Sequence, residues 1–111
     1  MSIDCSVEIE QGNGVTIEFT AENAGSEPVE LTFSDGQTVE AVVGEADDPI
    51  WRYGSGKMFT QAIRTERLAP DEQLVERVEW PDPAPGEYEV RAWLCADNVD
   101  CEATANVSVR A

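Results

Sequence analysis

Apolar and polar residues alternate along most of this chain. Val15, Ile17 and Phe19 alternate with Thr16, Glu18 and Thr20. Val29, Leu31 and Phe33 alternate with Glu30 and Thr32, and Tyr88, Val90, Ala92 and Leu94 with Glu89, Arg91 and Trp93. Ala103, Ala105, Val107 and Val109 close the series against Thr104, Asn106 and Ser108. A period of two is that of a strand with one face on a core and one in water. The pattern predicts strands near 5–11, 14–23, 28–35, 38–44, 49–54, 57–66, 73–80, 87–96 and 101–110. Glycine, proline, asparagine and aspartate cluster between them, in QGNG, NAGSEP, SDGQ, GEADDP, GSG, APDEQ, PDPAPG and ADNVD. No window of about a dozen residues shows helical spacing. Short alternating strands with such turns and no helix predict an all-β chain. The expected architecture is a single immunoglobulin-like antiparallel β-sandwich over residues 1–111, of about 7–9 strands with little or no helix.

Two stretches refine this. In Asp48–Ile63, DPIWRYGSGKMFTQAI, apolar and aromatic side chains flank a Gly-Ser-Gly turn. Gly54 and Gly56 suit a tight hairpin tip, with Trp51 and Tyr53 entering and Met58 and Phe59 leaving. In Pro85–Val90, PGEYEV, a Pro-Gly turn opens a strand. In immunoglobulin-like sandwiches a tyrosine so placed, here Tyr88, ties a corner loop through its hydroxyl. The outward faces carry Glu8, Glu10, Glu18, Glu30, Glu40, Glu87 and Glu89, which puts their charge in solvent and discourages pairing between edges.

Charge narrows the functional classes. Seven basic residues against 23 acidic ones give a net charge of −16 over 111 residues. Such self-repulsion weakens a compact state at ordinary salt. At molar salt the screening length falls to roughly 3 Å. With one lysine, Lys57, among the seven, the composition reads as salt-adapted and cytoplasmic. The rival reading is an ordinary acidic protein with a basic partner. Nucleic acid and anionic membrane are disfavoured as partners, since both require basic patches. The opening MSIDCSVEIE has neither the basic region nor the apolar run of a signal peptide. With no histidine, Ser-His-Asp and Cys-His catalysis are excluded, and no motif for an enzyme or cofactor stands in their place. Three cysteines leave an odd thiol. Cys95 and Cys101 flank ADNVD and face each other across a hairpin either as reduced thiols or as a disulfide, while Cys5 reads as a buried strand residue. A metal site using Asp97, Asn98, Asp100 and Glu102 is a weaker alternative, because their spacing fits no calcium loop.

Three segments carry a resemblance. Trp51-Arg52 precedes the Gly-rich turn and Met58-Phe59-Thr60-Gln61-Ala62 follows it; then come Leu68-Ala69-Pro70, a strand ending in Trp80, and Pro85-Gly86-Glu87-Tyr88. Together they resemble the BsuPI family of intracellular proteinase inhibitors, best over Ile50–Leu94. Asp71 departs from the pattern where glycine is expected after the proline, though aspartate tolerates left-handed backbone. The resemblance implies an immunoglobulin-like sandwich and stoichiometric inhibition of an intracellular subtilisin-like serine protease by a monomer or weak dimer. The alternative is a protein-binding or assembly module without inhibitory activity. A rigid segment and a few buried anchors carry such binding. The contact candidates are Tyr53, Gly54, Ser55, Gly56, Lys57 and Met58 at one turn, and Pro81, Asp82 and Pro83 in the proline-stiffened WPDPAPG. Trp51, Phe59 and Trp80 read as core and Lys57 as solvated. Trp93, if outward, forms an exposed aromatic patch with Arg91.

Overall fold

The computed structural model describes residues 3–12 and 14–110. Asn13 of the expected QGNG turn lies outside that description, as do Met1, Ser2 and Ala111. Among the described residues there are nine strands and no helix: β1 Ile3–Gln11, β2 Val15–Asn23, β3 Val29–Phe33, β4 Val39–Glu45, β5 Asp48–Arg52, β6 Arg64–Leu68, β7 Gln73–Trp80, β8 Gly86–Leu94 and β9 Glu102–Val109. All pairings are antiparallel. The sheets run β1-β2-β7, β3-β6 and β5-β4-β8-β9. This is an immunoglobulin-like β-sandwich. Val15, Ile17 and Phe19 of β2 meet Ala41, Val43, Val90 and Ala92 of β4 and β8 in one buried cluster. Their sequence alternation is the alternation of faces.

Most turns follow from local chemistry. Ala46 and Asp47, both at positive φ, make the tight β4–β5 turn, and Pro49 sits on the outer edge strand, where it blunts further pairing. Asp71 does adopt left-handed backbone, at φ 68°, and its amide donates to the carbonyl of Asn23. Asn23 is fully buried at the end of β2. Its amide nitrogen donates to the carbonyls of Glu27 and Leu68, and its Oδ1 accepts the Gly25 amide. One side chain thus closes the β2–β3 turn and holds it to the end of β6. Tyr88 ties the corner as expected, its hydroxyl donating to the Ala84 carbonyl at 2.6 Å.

Two expectations are corrected. Residues 57–63 form no strand, and Gly54–Gly56 is not the tip of a hairpin between 49–54 and 57–66. β5 pairs with β4, whereas β6 starts only at Arg64 and pairs with β3 in another sheet. The chain between them crosses from sheet to sheet, so the apolar Met58 and Ile63 never reach a core face and stand exposed. The disulfide joins Cys5 to Cys101, not Cys95 to Cys101, and Cys95 is a free thiol. The β8–β9 register explains this. Trp93 pairs with Glu102, and the Leu94 amide donates to the Cys101 carbonyl. Cys95 is therefore one residue out of step with Cys101 and points to the other face. Cys101 faces β1 instead, with Cα atoms of the bonded pair 6.0 Å apart. Burial pushes the Cys95 thiol up to about 11, helped by Glu40 and Asp35, so it is a poor nucleophile.

Candidate contact surface

The turn after β5 is seated by a residue that alternation places in solvent. Val39, Ala41 and Val43 enter the core, so Glu40 and Val42 face outward, opposite Trp93 and Arg91 of β8. Yet Glu40 is only 5% exposed. The chain leaving β5 folds over it. Oε1 of Glu40 accepts the amides of Gly54 at 2.8 Å and Ala41 at 3.0 Å, and Oε2 accepts Nε of Arg52 at 3.0 Å. The amide of Tyr53 donates to the Ala41 carbonyl. A Cβ on Gly54 would lie 2.5 Å from Oε2 of Glu40 and 2.9 Å from Nε2 of Gln37, so only glycine permits this approach. The expectation of a solvated Glu40 is corrected accordingly.

Burial raises the Glu40 carboxyl, but hydrogen bonds from Gly54, Ala41, Gln37 and Arg52 more than offset it, and the net position is below the ordinary 4.5. A carboxyl lowered on folding contributes stability that is complete above its unfolded value. That contribution is lost as pH falls through the folded value. We expect Glu40→Ala, which leaves two amides and a guanidinium without their acceptor, to cost about 3 kcal/mol at pH 7. The difference between variant and wild type should shrink on acidification below 4.5. Urea melts across pH, with hydrogen exchange at the Gly54 amide, check this.

The segment beyond Gly54 is fastened again at its far end. The Gly36 amide donates to the Thr60 carbonyl at 2.7 Å, and a Cβ on Gly36 would lie 2.6 Å from the Thr60 hydroxyl oxygen. Between these ties, the Ser55 amide donates to the Arg52 carbonyl and the Lys57 amide to the Gly54 carbonyl. Gly56 takes φ 76°. The Lys57 ammonium sits 4.8 Å from the centre of the Tyr53 ring, and the residue is exposed, as expected of a solvated turn lysine. Tyr53 and Phe59 are half-buried, while Met58 is 97% exposed. Ile63 at 77% and Ile50 at 48% belong to the same stretch of chain.

Beneath the segment, Trp51 packs on Trp80 with ring centroids 6.5 Å apart, and Trp80 meets Tyr88 edge-on at 4.8 Å. Trp80 is core, as expected, and Trp51 and Phe59 are half-buried. Trp93 looks outward, with the guanidinium groups of Arg52 and Arg91 each 5.6 Å from its ring centre. The two sets of contact candidates are not brought together. Arg52 leads to Tyr53 at the Val39 end of β4, whereas Pro81, Asp82 and Pro83 precede Gly86 at the Gly44 end. Asp82 there adopts φ 49° and shares a shallow pocket with Gln11, Gly12 and Gly14. The acidic stretch after Cys95 has structural tasks. Asn98 brackets β3 through the Thr32 amide and Glu30 carbonyl, and Asp97 accepts the Ser34 hydroxyl. Among the described residues no cluster of three or more histidine, cysteine, aspartate or glutamate side chains is placed to hold a metal. Nor is any helix there long and apolar enough to cross a membrane.

The profile of the BsuPI family, described as intracellular proteinase inhibitor, matches residues 3–99. The match reaches back through β1–β4, well before the Trp51–Leu94 region that carries the sequence resemblance. No curated protein matches the chain. The chain belongs to the BsuPI family of intracellular proteinase inhibitors.

Proposed function

We propose that this member of the proteinase inhibitor family is a stoichiometric inhibitor of an intracellular, subtilisin-like serine protease. It acts in the cytoplasm as a monomer or weak dimer, and Tyr53–Met58 is the segment that enters the cleft. One observation carries the choice of segment. Gly54 is fastened to Glu40 and Thr60 to Gly36, and between these ties Ser55–Met58 are all exposed. Fastening both ends lowers the ordering cost of binding and holds the chain against cleavage. Replacing Ser55–Met58 by four glycines is expected to weaken inhibition at least about 30-fold, the scale of a lost anchor. Pro83→Ala, at the opposite end, is expected to leave it unchanged. The reverse result would move the contact to the proline loop.

The second reading is a binding or assembly module without inhibition. Its supporting observation is outward Trp93, stacked with Arg52 and Arg91. A partner captured with no loss of protease activity, and released by Trp93→Ala, favours it.

Salt adaptation follows from charge in the same spirit. Only four ion pairs occur among the described residues, and most of their side chains are substantially exposed. The net −16 already counts all seven basic residues, so it stands whichever pairs form. Raising potassium chloride from 0.1 to 2 M is expected to raise Tm by more than about 5 °C, roughly 1 kcal/mol at this size. A flat or falling Tm would return the chain to the class of ordinary acidic proteins.

A further inference from the structure

Resting on the reading of Tyr53–Met58 as the contact segment, we infer that Met58 fills the primary specificity pocket of the target. That protease therefore accepts a long, unbranched apolar side chain, not a basic or acidic one. The neighbours eliminate themselves by where they point. Lys57 is drawn back over the Tyr53 ring at 4.8 Å. Tyr53 is half-buried and leans on Trp51, with centroids 6.4 Å apart. Phe59 is half-buried too, and Thr60 after it is tied to Gly36. Ser55 and Gly56 have no side chain large enough to anchor a partner.

Met58 is left at 97% exposure, beyond any other large apolar side chain among the described residues. A lone surface apolar residue is ordinary. This one is different because the chain on either side is tied while the side chain itself reaches into solvent. Methionine also adapts to an apolar pocket of irregular shape, since it is unbranched and polarisable. The binding is noncovalent: no peptide bond of the inhibitor is broken in it.

The test is a set of pocket-matching substitutions. Inhibition constants are measured for wild type, Met58→Ala and Met58→Lys against two proteases. One is subtilisin-type, with an apolar primary pocket; the other is trypsin-type, with a carboxylate at the pocket floor. Wild type is expected to inhibit the first and not the second. Met58→Ala should weaken the first at least about 30-fold. Met58→Lys should lose the first and acquire the second. A near-fully exposed position tolerates all three residues, and unchanged thermal melts confirm that the fold is kept. Wild-type inhibition with both variants within about threefold on the first protease, and no gain on the second, overturns the role of Met58 while leaving the inhibitor reading intact. Wild type that inhibits neither protease removes the reading itself for these classes, and the inference with it.

Discussion

Reduction of the Cys5–Cys101 disulfide is expected to lower the unfolding free energy by about 4–5 kcal/mol and Tm by about 20 °C. The bond links positions 96 apart, so it closes a loop of nearly the whole chain in the unfolded state. In the loop-entropy description, such a closure removes more disorder than any short crosslink. The bond also closes a seam. β1 and β9 are edge strands of different sheets, and no strand ladder joins them. Cys5→Ser/Cys101→Ser should melt like the reduced wild type, and Cys95→Ser should melt like the oxidised one. The half-buried Cys95 should react slowly with thiol reagents in the folded protein and faster on unfolding, because partial burial, with Glu40 and Asp35 nearby, holds its thiol near 11. Reducing cytosol keeps most protein thiols open. For a member of an intracellular family, the reduced form is then the one to compare with cellular stability. A Tm independent of reductant would show that the seam is held by packing alone.

Trp80→Ala is expected to cost about 4 kcal/mol, in the range for removing a buried tryptophan from a core. Trp80 is buried at the end of β7, where it pairs with Val15, and it contacts both Tyr88 and Trp51. Tyr88 is the corner tie, and Trp51 is the last apolar support of β5 before the contact segment. The void would therefore loosen two features at once. Hydrogen exchange should rise at Tyr53 and Gly54 as well as around Ala84. A cost confined to global stability, with the segment's amides as protected as in wild type, would separate the aromatic stack from the seat of that segment. Trp80→Phe, which keeps an aromatic edge against Tyr88, should recover at least half of the loss.

The strands were legible because each buries one face, and a period of two survives in the sequence wherever that is so. β2 is the clearest case, with Val15, Ile17, Phe19 and Ala21 all buried. Tyr88 and Asp71 were legible too, since a corner tie and a left-handed turn demand particular residues. The crossing at 57–63 was not. Its apolar residues imitate a strand, and only the choice of partner, β4 for β5 and β3 for β6, reveals a loop. Glu40 was illegible for a related reason. Alternation assigns a side chain to a face and says nothing of what later lies on top of that face. The one local signal was Gly54, whose missing Cβ makes room for the carboxylate, but a turn glycine has an ordinary explanation as well. The disulfide turned on a single residue of register, and hairpin spacing alone favoured the wrong partner for Cys101.

Titration of the intact protein into a subtilisin-type serine protease at molar salt, with residual activity followed against molar ratio and the inhibitor examined on a gel, bears most directly on inhibition. Loss of activity with a break near one-to-one, and an uncut chain, is the expected result. Full activity at several-fold excess, whether the chain is cut or intact, would contradict inhibition of this protease class.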